Sequence, residues 1–477
     1  MELNLRQRST AYFRYFGRLG ALASAVIFAV GAGGADADRY WPQWRGPQAT
    51  GVAPESDPPA RWSEEQNVRW KVEVPGKGNS SPIVWKDKIF LTSAIPAKQV
   101  LDPEPEEESA EGQRRRRWSL KPTHEQRFVV LALDRATGKV LWERTAREAL
   151  PHEGTHLDGT WAAASPVTDG ERLFAHFGSN GLYAFDLAGT LLWSVDLGDM
   201  QTRNAFGEGS SPAMHGDTLI VNWDHEGEDS FIVALDKRTG KERWRRDRDE
   251  VTSWSTPLVV ERGPRPQVVV AATGKTRGYD LATGDIVWES GGMTVNTIPS
   301  PVERNGTVYV MSGFRGNALQ AIRLEGAKGD LAESPSITWR FDRDTPYVPS
   351  PLLYGDGLYF LKHNRGILSL LDADTGEVRY GPQRLEGIEG VYASPVGAAG
   401  KVYIVGRNGT SVVLAHGPEL KVLATNHLED AFDASPAIAG DELYLRGQRF
   451  LYCIAEGGAA PQKKGTSAAG ASGKAGD

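Results

Sequence analysis

A small residue followed directly by proline recurs eight times along the chain, at Ser81-Pro82, Ser165-Pro166, Ser211-Pro212, Thr256-Pro257, Ser300-Pro301, Ser350-Pro351, Ser394-Pro395 and Ser435-Pro436. Successive copies lie 84, 46, 45, 44, 50, 44 and 41 residues apart. A period of that length marks repeated supersecondary units, each too small to bury its own apolar face alone. After each proline comes an apolar run, a tight turn, a second run, another turn and a third, as in SPLLYGDGLYFLKHNRGILSLLDADTGEVRY over residues 350–380. The third run usually leads through a further turn into a fourth strand carrying an aromatic residue: ALDRATGKVLW, AFDLAGTLLW, ALDKRTGKERW and GYDLATGDIVW. Asp and Thr-Gly there supply the side-chain-to-backbone bonds and the positive φ of a tight hairpin. Trp142, Trp193, Trp244, Trp288 and Trp339, with Tyr380 in the sixth copy, are placed to wedge between neighbouring sheets.

Four strands per unit at this spacing predict an all-β fold, an eight-bladed β-propeller of four-stranded antiparallel blades. The last motif is followed by only three strands, ending LYCIA at 451–455, while NVRWKVEV at 67–74 precedes the first motif and offers Trp70 as a wedge. The N-terminal strand is therefore expected to complete the eighth blade and close the ring. The first interval is long because residues 96–127 form a charged insert, DPEPEEES followed by QRRRRW, read as a solvated, disordered loop. Around the propeller at 67–456 lie a lead-in segment at 38–66 and a tail at 457–477, rich in Gly, Ala, Ser and Lys and read as flexible.

Residues 1–37 read as a secretory signal peptide: Arg6, Arg8, Arg14 and Arg18 lead into the apolar run Leu19–Val30, followed by small residues ending in the A-x-A cleavage pattern Ala35-Asp36-Ala37. That run is shorter than the roughly 20 residues a membrane-spanning helix needs. The expectation is export to a periplasm or the outside of the cell, with no stable membrane insertion after cleavage. Cys453 is the single cysteine, so no intramolecular disulfide forms and packing must stabilise the fold. A formal net charge of −7 gives no general reason to bind nucleic acid.

In a propeller, the loops entering each blade and those joining its second and third strands emerge on one face around the central channel, so matching repeat positions form rings. The second-to-third turns place Arg277, Arg315, Arg365 and Arg407 or Arg449 on a basic arc, opposite an acidic turn with Asp224, His225, Glu226 and Glu228. The entry loops add Arg203, Asn204, Glu208, Trp254, Asn296, Tyr347, Tyr392, Asp430 and Asp433. Arginine offers a fixed fork for carboxylate or sulfate, and Trp and Tyr supply rigid contact area, so the mixture suits recognition. The bland alternative is that polar turns rim any propeller.

The A-x-D-x-x-T-G-x-x-x-W pattern resembles the repeats of pyrroloquinoline-quinone-type (PQQ-like) β-propellers over residues 67–455, and WPQWRGPQATG at 41–51 is similar to the opening of exported bacterial members. That resemblance implies one of two branches. Quinoprotein alcohol dehydrogenases bind quinone and calcium, typically with adjacent cysteines, a Trp floor, a carboxylate and an amide on the metal, and an Asp base. Trp254, Glu208, Asn296 and Asp433 are the residues available for such parts, but one cysteine cannot make the pair. The other branch resembles the propeller subunit of the outer-membrane protein assembly machinery, which carries no cofactor and binds proteins.

His152-Glu153-Gly154-Thr155-His156 fits H-E-x-x-H, the zinc-protease pattern, but Pro151 and Gly154 oppose the helix it requires. A metal held loosely by His152, His156 and Asp158 is the weaker alternative. No G-x-S-x-G elbow or phosphate-binding G-x-x-x-x-G-K-[ST] loop is present. Asp372 with Asp374 read as turn residues, and the Arg114–Arg117 run as compensated by Glu104–Glu108. The reading is thus an exported, non-catalytic binding propeller that recognises a protein partner or anionic ligand on its channel face, with no cofactor. Its alternative is an oxidoreductase dependent on PQQ and calcium.

Overall fold

The computed structural model describes residues 38–101, 118–261 and 265–458. Eight antiparallel sheets of four strands are arranged as the blades of a ring, in sequence order from the first blade, Ile83–Ala149, to the eighth, Ala437–Ile454. Val68–Glu73 pairs antiparallel with Phe450–Ile454, so the eighth blade is completed by the N-terminal strand as expected. The fourth blade gains a fifth, parallel partner in Gly329–Asp330.

The turn and wedge chemistry is shared between neighbours. Asp134, Asp236 and Asp372 accept bonds from the backbone and hydroxyl of the Thr three residues on, closing each hairpin. The carbonyl after the turn Asp is then free, and the preceding blade's indole donates to it: Trp70 to Arg135, Trp142 to Leu187, Trp193 to Lys237, Trp244 to Leu281 and Trp339 to Ala373, at 2.9–3.2 Å. The turn glycine is required twice over. Gly284 sits at φ +76°, and a Cβ there would lie 2.5 Å from the Trp244 ring. Trp288 departs from the pattern because the fifth blade has no D-x-x-T-G turn to receive it; it bonds Gln267 of its own blade instead.

The Ser/Thr-Pro motif builds the axis. Each motif amide donates to the hydroxyl of the next blade's motif: Ser81 to Ser165, Ser165 to Ser211, Ser211 to Thr256, Thr256 to Ser300, Ser300 to Ser350, Ser350 to Ser394 and Ser394 to Ser435, at 2.8–3.3 Å. The eighth link is missing, and the Ser81 hydroxyl has no partner among the described residues. That gap is the seam between the last blade and the first. It is held differently, by buried Arg446 on the Ser80 carbonyl and hydroxyl and by Arg135 on Glu442 (2.7 Å).

The lead-in segment crosses the face opposite the mouth. Trp41 pairs with Val84, Pro42 accepts from Thr168, and Ala53 and Gly51 pair with Gly397. Between these ties the Trp44 indole donates to Ser300 Oγ (3.1 Å), and buried Arg45 donates to the carbonyls of Pro351 (2.6 Å) and Pro395 (2.7 Å). Trp44 borders the channel cavity on one side and a second cavity, lined by Pro212, Leu258 and Pro301, on the other. The channel is therefore blocked at the level of Trp44.

The insert is shorter than its reading. Lys88–Gln99 and His124–Asp134 form one long hairpin whose pairing reaches Gln99 opposite His124, and Ser119–Leu120 pairs with Thr155–His156. Its outer end mixes Ile95, Pro96 and Ala97 with Lys98, Gln99, Gln126 and Arg127, so it shows no clean apolar period. The charged runs at 102–117, the leader at 1–37 and the tail beyond 458 lie outside the described residues.

Candidate functional site

The basic arc does not survive as a ring. Arg277 lies within the strand Lys275–Asp280 rather than in a turn, is 3% exposed, and is enclosed by Asp249, Glu250 (2.9 Å) and Glu289 (3.2 Å). Asp224 is also interior. Its carboxylate takes a two-point bond from fully buried Arg248 (2.6 and 3.0 Å), whose remaining nitrogen reaches the Tyr279 hydroxyl. His225 is buried beside it, paired with Asp229 at 3.0 Å, and Glu226 is tied to Thr252. Arg277 and the Asp224–Arg248 pair are thus internal supports of the third and fourth blades rather than members of an exposed arc, whereas Glu226 stays exposed. A turn sequence such as GKTRG does not reveal that carboxylates from the preceding inter-blade loop will enclose its arginine.

Arg407 faces the channel but is already neutralised, bound to Asp158 (2.8 Å) and Asp433 (2.6 Å) and lying 4.1 Å from the Tyr392 ring centroid. Tyr392 donates to the other Asp158 oxygen (3.0 Å). Arg449 is spent on the Glu429 carbonyl, and Asp430 on the backbone of Phe450.

What stays open is on the side of the fifth and sixth blades. Phe314 and Tyr347 stack with centroids 4.6 Å apart, and exposed Arg315, at φ +54°, lies with its guanidinium 5.4 Å from the Phe314 centroid. Asn296, 3% exposed and at φ +57°, donates to the Tyr347 hydroxyl (3.3 Å) while its Oδ1 has no partner among the described residues. Arg203 lies close enough to act electrostatically on Tyr347, and Asn204 and Arg365 are exposed on the same set of loops.

Beside the channel, bordered by Trp254, is a small chamber whose wall is mostly apolar, with Trp161, Phe177 and Met200, but which also holds His152, Glu153, His176 and Glu208. Glu208 accepts from the Ser179 amide (2.7 Å) and hydroxyl, and Glu153 from the Thr202 amide and hydroxyl. Burial lifts the Glu208 carboxyl from 4.5 to about 7, resisted by its Ser179 bonds and aided by Glu153. The native state therefore holds a proton there that the unfolded chain releases near 4.5, so this group's contribution to stability falls as pH rises from about 4.5 to about 7. The Glu208→Gln variant is expected to lose that part of the pH dependence in thermal melts at pH 4.5, 5.5, 6.5 and 7.5. Parallel wild-type and variant profiles would contradict the assignment.

The H-E-x-x-H string is not helical. His152 bonds the Met200 carbonyl, His156 Nδ1 accepts from the Asp158 amide (3.1 Å), and Glu153 turns to Thr202. Among the described residues no three His, Cys, Asp or Glu side chains converge as metal ligands, so His152, His156 and Asp158 form no metal site. Of the residues named for calcium and quinone, Glu208 accepts from Ser179 and Asp433 from Arg407, while Asn296 donates to Tyr347 through Nδ2 and keeps its Oδ1 unpartnered among the described residues.

Eight four-stranded blades with shared wedge and turn define a PQQ-like β-propeller. The chain belongs to the family of outer membrane protein assembly factor BamB, whose model matches residues 123–246 and 228–457. Among solved structures it is similar to BamB from Moraxella catarrhalis, at 12% identity and a TM-score of 0.53, over 81% of this chain and 99% of that one. A quinohemoprotein alcohol dehydrogenase, ADHIIG from Pseudomonas putida HK5, aligns at 12% identity and a TM-score of 0.46 over 90% of this chain and 82% of that one. No curated protein matches the sequence. No described helix is long and apolar enough to cross a membrane.

Proposed function

We propose that this is an exported, non-catalytic binding propeller that docks a protein partner on the mouth side of its channel. The observation that carries the reading is the Phe314–Tyr347 stack with Arg315 and Arg203 beside it: two packed rings and cations that no described carboxylate neutralises. Rigid aromatics next to arginine are the usual anchors of a protein interface. Membership of a family named for an outer membrane protein assembly factor supports a protein as the partner.

A photo-crosslinking residue at position 315, in the native host, is expected to trap one defined partner, and the same residue at Glu261 on the opposite face is expected to trap none. With that partner in hand, Arg315→Ala should weaken binding by about 10-fold or more and leave the thermal midpoint almost unchanged, because the side chain is exposed. Crosslinks from Glu261 alone, or a large fall in the midpoint, would overturn the reading.

A further inference from the structure

We propose that the blocked channel is itself a pocket for a neutral polyol, a single sugar ring or a compound of that chemistry, separate from the docking patch on the rim. The cavity above Trp44 measures about 240 Å³, just below the range of about 300–1,000 Å³ typical of small-molecule sites and far too narrow for a helix about 10 Å across. Its floor is rigid. Trp44 is fixed to Ser300, and the next residue, Arg45, is buried on two motif carbonyls.

The wall chemistry selects the ligand. Trp254, Tyr347 and Tyr392 line the cavity with partly exposed rings; one face of Tyr347 is taken by Phe314 and one of Tyr392 by Arg407, which leaves Trp254 as the ring on which the C–H side of a sugar can lie. The motif hydroxyls of Ser165, Ser211, Thr256, Ser350, Ser394 and Ser435 also line it. Each already accepts an amide hydrogen from the neighbouring blade, which leaves its own O–H proton to donate inward. Acceptors come from Asp158 and Asp433 on the same wall. A ligand that both donates and accepts along its edge and is apolar on its face satisfies all three surfaces.

Charge excludes the alternatives. Two carboxylates, Asp158 and Asp433, face one guanidinium, Arg407, and burial keeps His156 toward its neutral form. Burial also raises the Asp433 carboxyl, but Arg407 is matched by Asp158 and Asp433, so an anion would meet no unmatched cation on this wall, which argues against the anionic ligand expected from the sequence. A quaternary ammonium would find the face of Tyr392 already covered by Arg407.

Calorimetric and tryptophan-fluorescence titrations of the full-length protein with D-glucose, D-galactose, N-acetylglucosamine, sodium sulfate and tetramethylammonium chloride test this. At least one neutral sugar is expected to bind saturably at concentrations up to about 50 mM, the two ions should not, and Trp254→Ala and Asp158→Asn should each weaken the sugar about 10-fold or more. If Trp254→Ala fails to fold, the Asp158→Asn result stands alone, since that side chain is one-third exposed. No saturable sugar binding, tighter binding of either ion, or sugar binding indifferent to the folded variants would overturn the proposal.

Discussion

Asp224→Ala is expected to destabilise the protein by about 3–5 kcal/mol, the cost of leaving a buried cation without its counter-ion. Arg248 and Asp224 are both fully excluded from solvent at the side chain, and Asp224 is bonded in addition by Asn222 and Ser253. Removing the carboxylate takes away the Arg248 guanidinium's two-point partner and leaves it the Tyr279 hydroxyl as hydrogen-bond partner and the more distant charge of Glu250, at the interface of the third and fourth blades. Denaturant titration of wild type and variant measures the difference. A change under about 1 kcal/mol, the size seen for exposed pairs, would show that water reaches Arg248. Arg315→Ala serves as the contrast, because an arginine on the rim should cost binding and not stability.

The second large effect concerns closure. A chain beginning at residue 75 lacks both the lead-in segment and the strand Val68–Glu73, and it is expected to give no cooperative thermal transition and to aggregate. Without that strand the hydrogen-bonding edge of Phe450–Ile454 is bare, although Leu451, Tyr452, Cys453 and Ile454 are fully buried in the intact ring. The same deletion removes Trp70 from Arg135, Trp44 from Ser300 and Arg45 from the motif carbonyls. A soluble monomer of the truncated chain, melting within a few degrees of the intact protein, would show that the ring closes without its N-terminal strand.

The parts of this fold that could be read from the residues are those whose chemistry is local. Asp134 and Thr137 lie three positions apart and make their turn wherever they occur, and the orphan strand with Trp70 announced its own blade. The motif hydroxyls were legible as strand entry but not as an axial chain of bonds. The available signal was that seven copies carry Ser and one Thr, never Gly or Ala, a choice that strand entry alone does not demand. The site was harder because its electrostatics are set by residues distant in the chain. Asp158, in the loop between the first and second blades, neutralises Arg407 of the seventh, and Arg277 is claimed by three acids of which two belong to the loop before its blade. Arg315 is exposed, as its turn position suggested, and its guanidinium lies by the Phe314 ring rather than against a carboxylate.

The most direct test is the absorbance spectrum and calcium content of the mature protein purified from its native host, before and after denaturation. A binding propeller should be colourless, release no quinone and carry no stoichiometric calcium. Quinone and about one calcium per chain, set by the converging oxygen ligands that calcium requires, would contradict that and make the channel a redox centre.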